Sequence, residues 1–167
     1  RRGQTGHPRS GLALAGHHPG RRLGSADPPE AAQRLSPQAR SLGVALALGA
    51  AFAVALQLGL SIRHQLEAGR TVGFAVLQYT GYYTIITNSF CALVAAACVW
   101  PERFGRFAAA LRSPIAITAA AVSIFMVGLL YVTLLTRVHH PQGLEHLTNL
   151  LLHYLLPPLF AYFWWQV

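Results

Sequence analysis

The chain has no lysine and very few carboxylates. Its thirteen basic residues are all arginine, five residues are acidic, and only 11% of the 167 positions are charged. A soluble domain carries about 25% charged residues. With 53% hydrophobic residues and a mean hydropathy of +0.40, an ordinary soluble domain is excluded and a membrane protein is indicated. The exclusive use of arginine reads as a compositional bias of the source, not as a device of this protein. No Asp, Glu or Arg falls within the long apolar runs, which argues against a proton pump or an ion path. Cysteine is nearly absent too. Cys91 and Cys98 lie seven apart in one apolar run, and no CxxC or His/Cys zinc spacing exists, so both are expected to be small buried hydrophobes. The net charge of +8 would suit nucleic acid if the arginines formed a stripe on a folded domain. Instead they flank the apolar runs. No nucleic-acid partner, cofactor or metal is expected, and membrane lipid is the expected partner. Oligomeric state is not encoded legibly.

What is present is a polar tail followed by apolar runs of about 20 residues, the length that crosses a bilayer. Residues 1–40 are rich in Arg, Pro, Gly, Ser and His without periodicity, and predict a disordered tail. Arg21-Arg22 is a poor twin-arginine signal, because the apolar run begins about twenty residues later. Residues 41–167 predict an all-α transmembrane bundle with four spans, at about 41–62, 79–100, 114–135 and 145–165. Gly43, Ala47, Ala51 and Ala55, every fourth residue of the first span, predict a smooth face for close helix packing. Residues 71–77 are apolar but short, and predict an interfacial helix. Tyr79, Tyr82 and Tyr83 predict one membrane interface and Trp100 the other. Pro114 suits the first position of the third span.

Within this apolar frame the polar residues stand out. The fourth span carries Asn149, His153 and the double proline Pro157-Pro158; the second carries Thr84, Thr87, Asn88 and Ser89. An ionisable side chain inside a membrane is a functional-site hypothesis by default. Asn149 and His153 share a helix face, and at 1.5 Å per residue Thr84 and His153 fall at similar depth, roughly 8 and 12 Å below the starts of their spans. A Thr hydroxyl is a weak nucleophile until a base takes its proton, and a neutral His in reach can do so. Asn88 or Asn149 is a candidate for orienting the imidazole or for binding an oxyanion, and Tyr131, near the end of the third span, completes the supporting polar set. No carboxylate within the spans completes a triad, so any catalysis is that of a dyad. The loop carrying His139, His140, Glu145 and His146 offers metal-binding residue types, but no i,i+4 pair puts two of these histidines on one helical face.

Four stretches in order, Tyr82-Tyr-Thr-Ile-Ile-Thr-Asn88, Gly128-Leu-Leu-Tyr131, Pro141-Gln-Gly-Leu144 and Asn149-Leu-Leu-Leu-His-Tyr-Leu-Leu-Pro-Pro158, resemble the bacterial Pr6Pr membrane proteins. That family is similar to the androgen-induced, FAR-17a-type membrane proteins of eukaryotes. The resemblance covers roughly the C-terminal half plus a generic first span. It implies a six-span bundle, so a chain ending at Val167 would lack about two spans; Arg1 in place of Met likewise points to a fragment or an extended reading frame. It also implies a threonine hydrolase of fatty-acid esters of hydroxy fatty acids, with Thr84 matching the nucleophile and His153 the base. The competing expectation is a non-enzymatic bundle whose Thr/Asn/His layer joins helices by hydrogen bonds. A small-solute carrier needs repeats or broken helices, and the double proline is the only break.

Seven arginines precede the first span, two lie in the first connector, three in the second and one in the third. The positive-inside rule then places the N-terminus in the cytoplasm of a multi-pass cell-membrane protein, with the first and third connectors outside. A cysteine introduced as His140→Cys should therefore react with a membrane-impermeant thiol reagent on intact cells. Labelling seen only after lysis would reverse the topology.

Overall fold

In the computed structural model, which describes residues 35–138 and 140–167, three helices begin on the same device. Ser36 accepts a hydrogen bond from the Ala39 N–H at 3.1 Å, with Pro37 in the first turn, and starts α1, Pro37–Glu67. Thr71 accepts from the Phe74 N–H at 3.2 Å and starts α2, Val72–Thr80. Ser113 accepts from the Ala116 N–H at 3.2 Å, again before a proline, and starts α5, Pro114–Leu130. Each cap satisfies an N–H that the helix itself leaves unpaired. Between them lie α3, Tyr83–Val99, and the short α4, Phe107–Leu111. A π-helical turn, Tyr131–Leu135, extends α5. The last segment is α6, Leu144–Asn149, a second π-helical turn, Leu150–Leu155, and α7, Leu156–Gln166. No β-strand occurs among the described residues, so the protein is an all-α bundle.

The helices α1, α3, α5 and α7 close a ring, each packing on the next and α7 returning to α1. Two helical segments, Pro37–Glu67 and Pro114–Leu135, are long and apolar enough to cross a membrane. The pair α2 and α3, bent by 73° at their junction, makes a third if it counts as one span. The bend follows from Thr80 and Gly81, weak helix formers, and from Tyr82, whose extended backbone (ψ 122°) restarts the helix. The fourth expected span is a helical run interrupted by its π turn, its apolarity diluted by Asn149, His153 and two prolines.

Several boundaries and faces differ from expectation. The first span begins four residues early, because Ser36-Pro37 caps it, and continues past Arg63 and His64 to Glu67, where Arg63 pairs with Glu67 at 3.6 Å. Positions 37–40 of the expected disordered tail are therefore helical; positions 1–34 lie outside the described residues. The smooth face of α1 is Ala39, Gly43, Leu46, Ala47, Ala50 and Ala53, while Ala51 and Ala55 are exposed. A strict four-residue spacing drifts about 40° per step on a 3.6-residue helix and leaves the contact stripe. Tyr79 is no interfacial anchor: it is buried, and its hydroxyl donates to the Val54 carbonyl of α1.

The buried face of α1 is built mainly of small side chains, and large ones point outward. Gly43, Ala47, Ala50 and Ala53 of α1 face Val94, Ala95 and Cys98 of the core, whereas Leu48, Phe52, Ile115 and Phe125 point outward. That inversion suits lipid, where association depends on close backbone approach and not on hiding apolar surface. Cys91 and Cys98 are buried, as expected. Gly43 carries the closest contact: a Cβ there would stand 2.7 Å from Val99 Cγ2 and 3.1 Å from Phe163 Cε2, whereas Gly59 has nothing within 4 Å. Gly43→Val should cost about 1–3 kcal/mol by overpacking. Gly59→Ala should be neutral or slightly stabilising. Thermal unfolding in detergent compares the two, and equal melting temperatures would show that α1 does not pack on α3 and α7 at Gly43.

Candidate active site

Pro157 and Pro158 have no N–H, so the carbonyls of His153 and Tyr154 lose their i+4 donors. The chain answers in two ways. The prolines fall in the first turn of α7, where an N–H is dispensable. Ahead of them the helix widens into the Leu150–Leu155 π turn, in which the Leu156 N–H donates back to the Leu151 carbonyl. Gly128 of α5 faces this point: a Cβ there would lie 3.2 Å from the His153 carbonyl oxygen and 3.2 Å from Pro157 Cβ. The missing side chain lets the α5 backbone come up against the widened turn. His153 is thereby presented on a segment held from behind.

Thr84 is the second residue of α3. The bend at Tyr82 puts it in the first turn, nearer the helix end than the span boundary at Tyr79 predicted. The Ile85 and Ile86 N–H groups both donate to the Tyr82 carbonyl, at 3.0 and 3.2 Å, and no side chain caps the helix. The Tyr83 and Thr84 N–H groups have no acceptor among the described residues. They add to the positive end of a 17-residue helix beside the Thr84 hydroxyl.

The bundle brings the two residues together. Thr84 Oγ1 and His153 Nε2 are 3.4 Å apart, although 69 positions separate them in the chain. His153 Nδ1 lies 3.3 Å from the Asn149 carbonyl oxygen. A carbonyl only accepts, so Nδ1 carries the proton and Nε2 turns its lone pair to the Thr84 hydroxyl. That is the tautomer a general base requires. Tyr131, at the start of the other π turn, stacks on the imidazole with ring centroids 4.1 Å apart and an interplanar angle of 29°. The side chains of Tyr131 and Asn149 are hydrogen-bonded to each other. Asn88 Nδ2 donates to the Thr84 carbonyl at 2.8 Å and fixes the first turn of α3.

Each predicted site residue thus joins one cluster, with roles redistributed. Asn149 orients the imidazole through its backbone oxygen and not through its amide. Asn88 supports Thr84 and does not line the cleft. Both asparagines keep a buried Oδ1 with no hydrogen-bond partner among the described residues.

The cluster opens into a cleft of about 630 Å³, lined by Thr84, His153, Asn149 and Tyr131 and walled by α1 through Gln57, Ser61 and His64. The volume lies within the roughly 300–1,000 Å³ typical of small-molecule sites. Gln57, Ser61, His64 and Gln65 also line it and were not legible as site residues in the sequence. Gln57 Oε1 accepts from the buried Thr148 hydroxyl of α6 at 2.5 Å. Its one sequence signal was being the only strongly polar residue of the first apolar run. A rim of hydrogen bonds, Gln65 Nε2 to Gln78 Oε1 at 2.7 Å and Gln78 Nε2 to the Tyr82 hydroxyl at 3.3 Å, ties α1 to the α2–α3 bend at the cleft mouth.

A cysteine pair Thr84→Cys/His153→Cys, with Cys91→Ala and Cys98→Ala in the background, should be bridged within one chain by mercuric ion. Thr84→Cys/Trp165→Cys should not be. A shift in peptide mass after digestion reads the bridge. Its absence in the first pair would separate α3 from the π turn.

Comparison with known proteins adds no relative: no family model, curated protein or solved structure matches the chain.

Proposed function

We propose that the cleft hydrolyses an acyl ester of a membrane lipid, with Thr84 as nucleophile and His153 as general base. The carrying observation is the 3.4 Å approach of Thr84 Oγ1 to an Nε2 whose lone pair is directed by the Nδ1 contact to the Asn149 carbonyl. In the first half-reaction Thr84 Oγ attacks the ester carbonyl carbon while Nε2 takes its proton. The carbonyl oxygen becomes an oxyanion, which the unpaired N–H groups at the start of α3 are suited to receive. The intermediate collapses, the C–O bond of the ester breaks, and His153 returns the proton to the leaving alcohol. Water, deprotonated by Nε2, then attacks the acyl-threonine and releases the fatty acid, restoring both residues.

The resemblance to the Pr6Pr and androgen-induced membrane proteins supports the same assignment, and we place the chain with them on this basis. The cleft opens beside the first and third connectors, the side that the arginine distribution assigns to the cell exterior, so an ester carbonyl near the headgroup boundary reaches Thr84 sideways from the bilayer. The two ring nitrogens of His153 face the Asn149 carbonyl and the Thr84 hydroxyl. A dyad held by a backbone carbonyl and a stacked tyrosine therefore stabilises the imidazolium less than a Ser-His-Asp arrangement does, and slow turnover is expected.

A lipid-like fluorophosphonate should label the protein in membranes at Thr84. Label should be lost in Thr84→Ala, retained in Thr84→Ser, and slowed by about 10²- to 10⁴-fold in His153→Ala. Label that persists in Thr84→Ala overturns the nucleophile. If wild type takes no label and both alanine variants lose only about 0.5–2 kcal/mol of stability, the Thr84–His153 contact is an interhelical hydrogen bond and nothing more.

A further inference from the structure

The groups lining the cleft beyond the dyad are unequal in hydrogen-bonding sense. Asn149 is buried, its side chain is engaged with Tyr131, and its Oδ1 has no donor among the described residues. Glu145, one helical turn earlier on α6, lines the same cleft and is the one carboxylate among its described lining residues. Both ask for a donor from the ligand. On the α1 wall, Gln57 has its Oε1 occupied by Thr148, which leaves its amide N–H groups for the cleft, and Ser61 stands one turn further along the same face. No arginine is among the described lining residues, Arg137 standing next to Val138 of the lining. The two arginines nearest in sequence to the α1 wall are engaged elsewhere: Arg63 with Glu67 at 3.6 Å, and Arg70 over the Phe74 ring at 4.7 Å.

From this arrangement we infer that the cleft binds the headgroup of an uncharged polyol lipid, an acylglycerol-type ester, and rejects lipids whose head carries a carboxylate or phosphate. A hydroxyl brings both a donor and an acceptor, so adjacent hydroxyls satisfy Asn149 Oδ1 and Glu145 while accepting from Gln57. An anionic head brings acceptors only. It would leave Asn149 Oδ1 unpaired in a buried place and set a second negative charge against Glu145, with no guanidinium among the described lining residues to offset it. The inference rests on the cleft being the lipid-ester site proposed above, and it departs from the carboxylate-bearing esters that the family resemblance implies. Asn149, Gln57 and Glu145 become the specificity-determining residues, with Thr84 and His153 indifferent to the head.

Non-cleavable ether analogues separate this inference from the hydrolase assignment. The full chain in nanodiscs is loaded with an NBD-labelled 1-O-alkylglycerol and challenged with two competitors of equal chain length, an unlabelled 1-O-alkylglycerol and an alkyl-ether carboxylic acid. The alkylglycerol should compete at least about tenfold better, the equivalent of one hydrogen bond or about 1.4 kcal/mol. Glu145→Gln should narrow that ratio by improving the acid. Asn149→Leu should weaken the alkylglycerol about tenfold and leave the acid where it was. Thr84→Ala should leave the ratio unchanged. Equal or better competition by the acid in wild type overturns the inference, as does a ratio that ignores both Glu145→Gln and Asn149→Leu. A loss of all binding in Asn149→Leu is resolved by Glu145→Gln, whose substitution is isosteric and still reads the ratio. If the ethers discriminate as expected while no acylglycerol ester is cleaved, the headgroup site stands and the hydrolase assignment fails. If esters are cleaved by Thr84 but the ethers do not discriminate, the reverse holds.

Discussion

Backbone carbonyls inside a bilayer must find partners within the protein, and the double proline at 157–158 removes two of the donors that a regular helix would supply. Much of the site geometry can be traced to that deficit. The π turn at Leu150–Leu155 absorbs it locally, and Gly128 admits the α5 backbone to the space beside the His153 carbonyl. A histidine at this depth is costly wherever its ring is loose. Here the ring is bounded by the Asn149 carbonyl on Nδ1, by Thr84 on Nε2 and by the Tyr131 face. The missing donors of the proline pair and the fixation of the imidazole are thus one arrangement.

The same arrangement explains why polar residues collect at one end of the bundle. The α2–α3 bend puts an uncapped helix start beside the π turn, and the polar α1 wall faces both. Away from this end the helices meet through alanine, glycine, buried side chains such as Leu46, Ile124, Phe160 and Phe163, and a few isolated hydrogen bonds, such as Trp164 Nε1 to Thr118 Oγ1 at 3.1 Å. Those isolated bonds join two partners and border no cleft. The Thr84–His153 pair differs in opening onto a volume large enough for a ligand.

Much of this was legible in the sequence where local rules decide. Ser113-Pro114 set the start of the third span, and 114–135 holds in the structure as α5 and its π turn, because a cap and a proline act within one turn. A similar depth of Thr84 and His153 was expected from rise per residue, and the two side chains lie 3.4 Å apart. What stayed hidden depended on distant partners. Tyr79 read as an interfacial aromatic because nothing nearby shows that Val54, 25 positions away, offers its carbonyl. Gln57 and Thr148, 91 positions apart, form a pair that no periodicity announces. The break at Tyr82 follows Thr80 and Gly81, weak helix formers whose propensity alone does not decide between a bend and a continuous helix. Ala51 and Ala55 matched a spacing motif whose phase drifts away from the contact line.

The two π turns also set the rotational phase of the bundle. An α-helix advances about 100° per residue, and a π turn accommodates one residue more than the helix around it. Deleting a single residue between Leu150 and Leu155 would return that turn to α geometry and leave its flanks close to their present phase, so Phe160 and Phe163 would stay in the core while His153 lost the widened turn that carries it. Deleting Leu159, in the regular helix of α7, would instead swing the buried Phe160 and Phe163 by about 100° out of the core. The loss of one residue thus has opposite consequences a few positions apart: the π turn holds a spare residue, and the helix after it holds none.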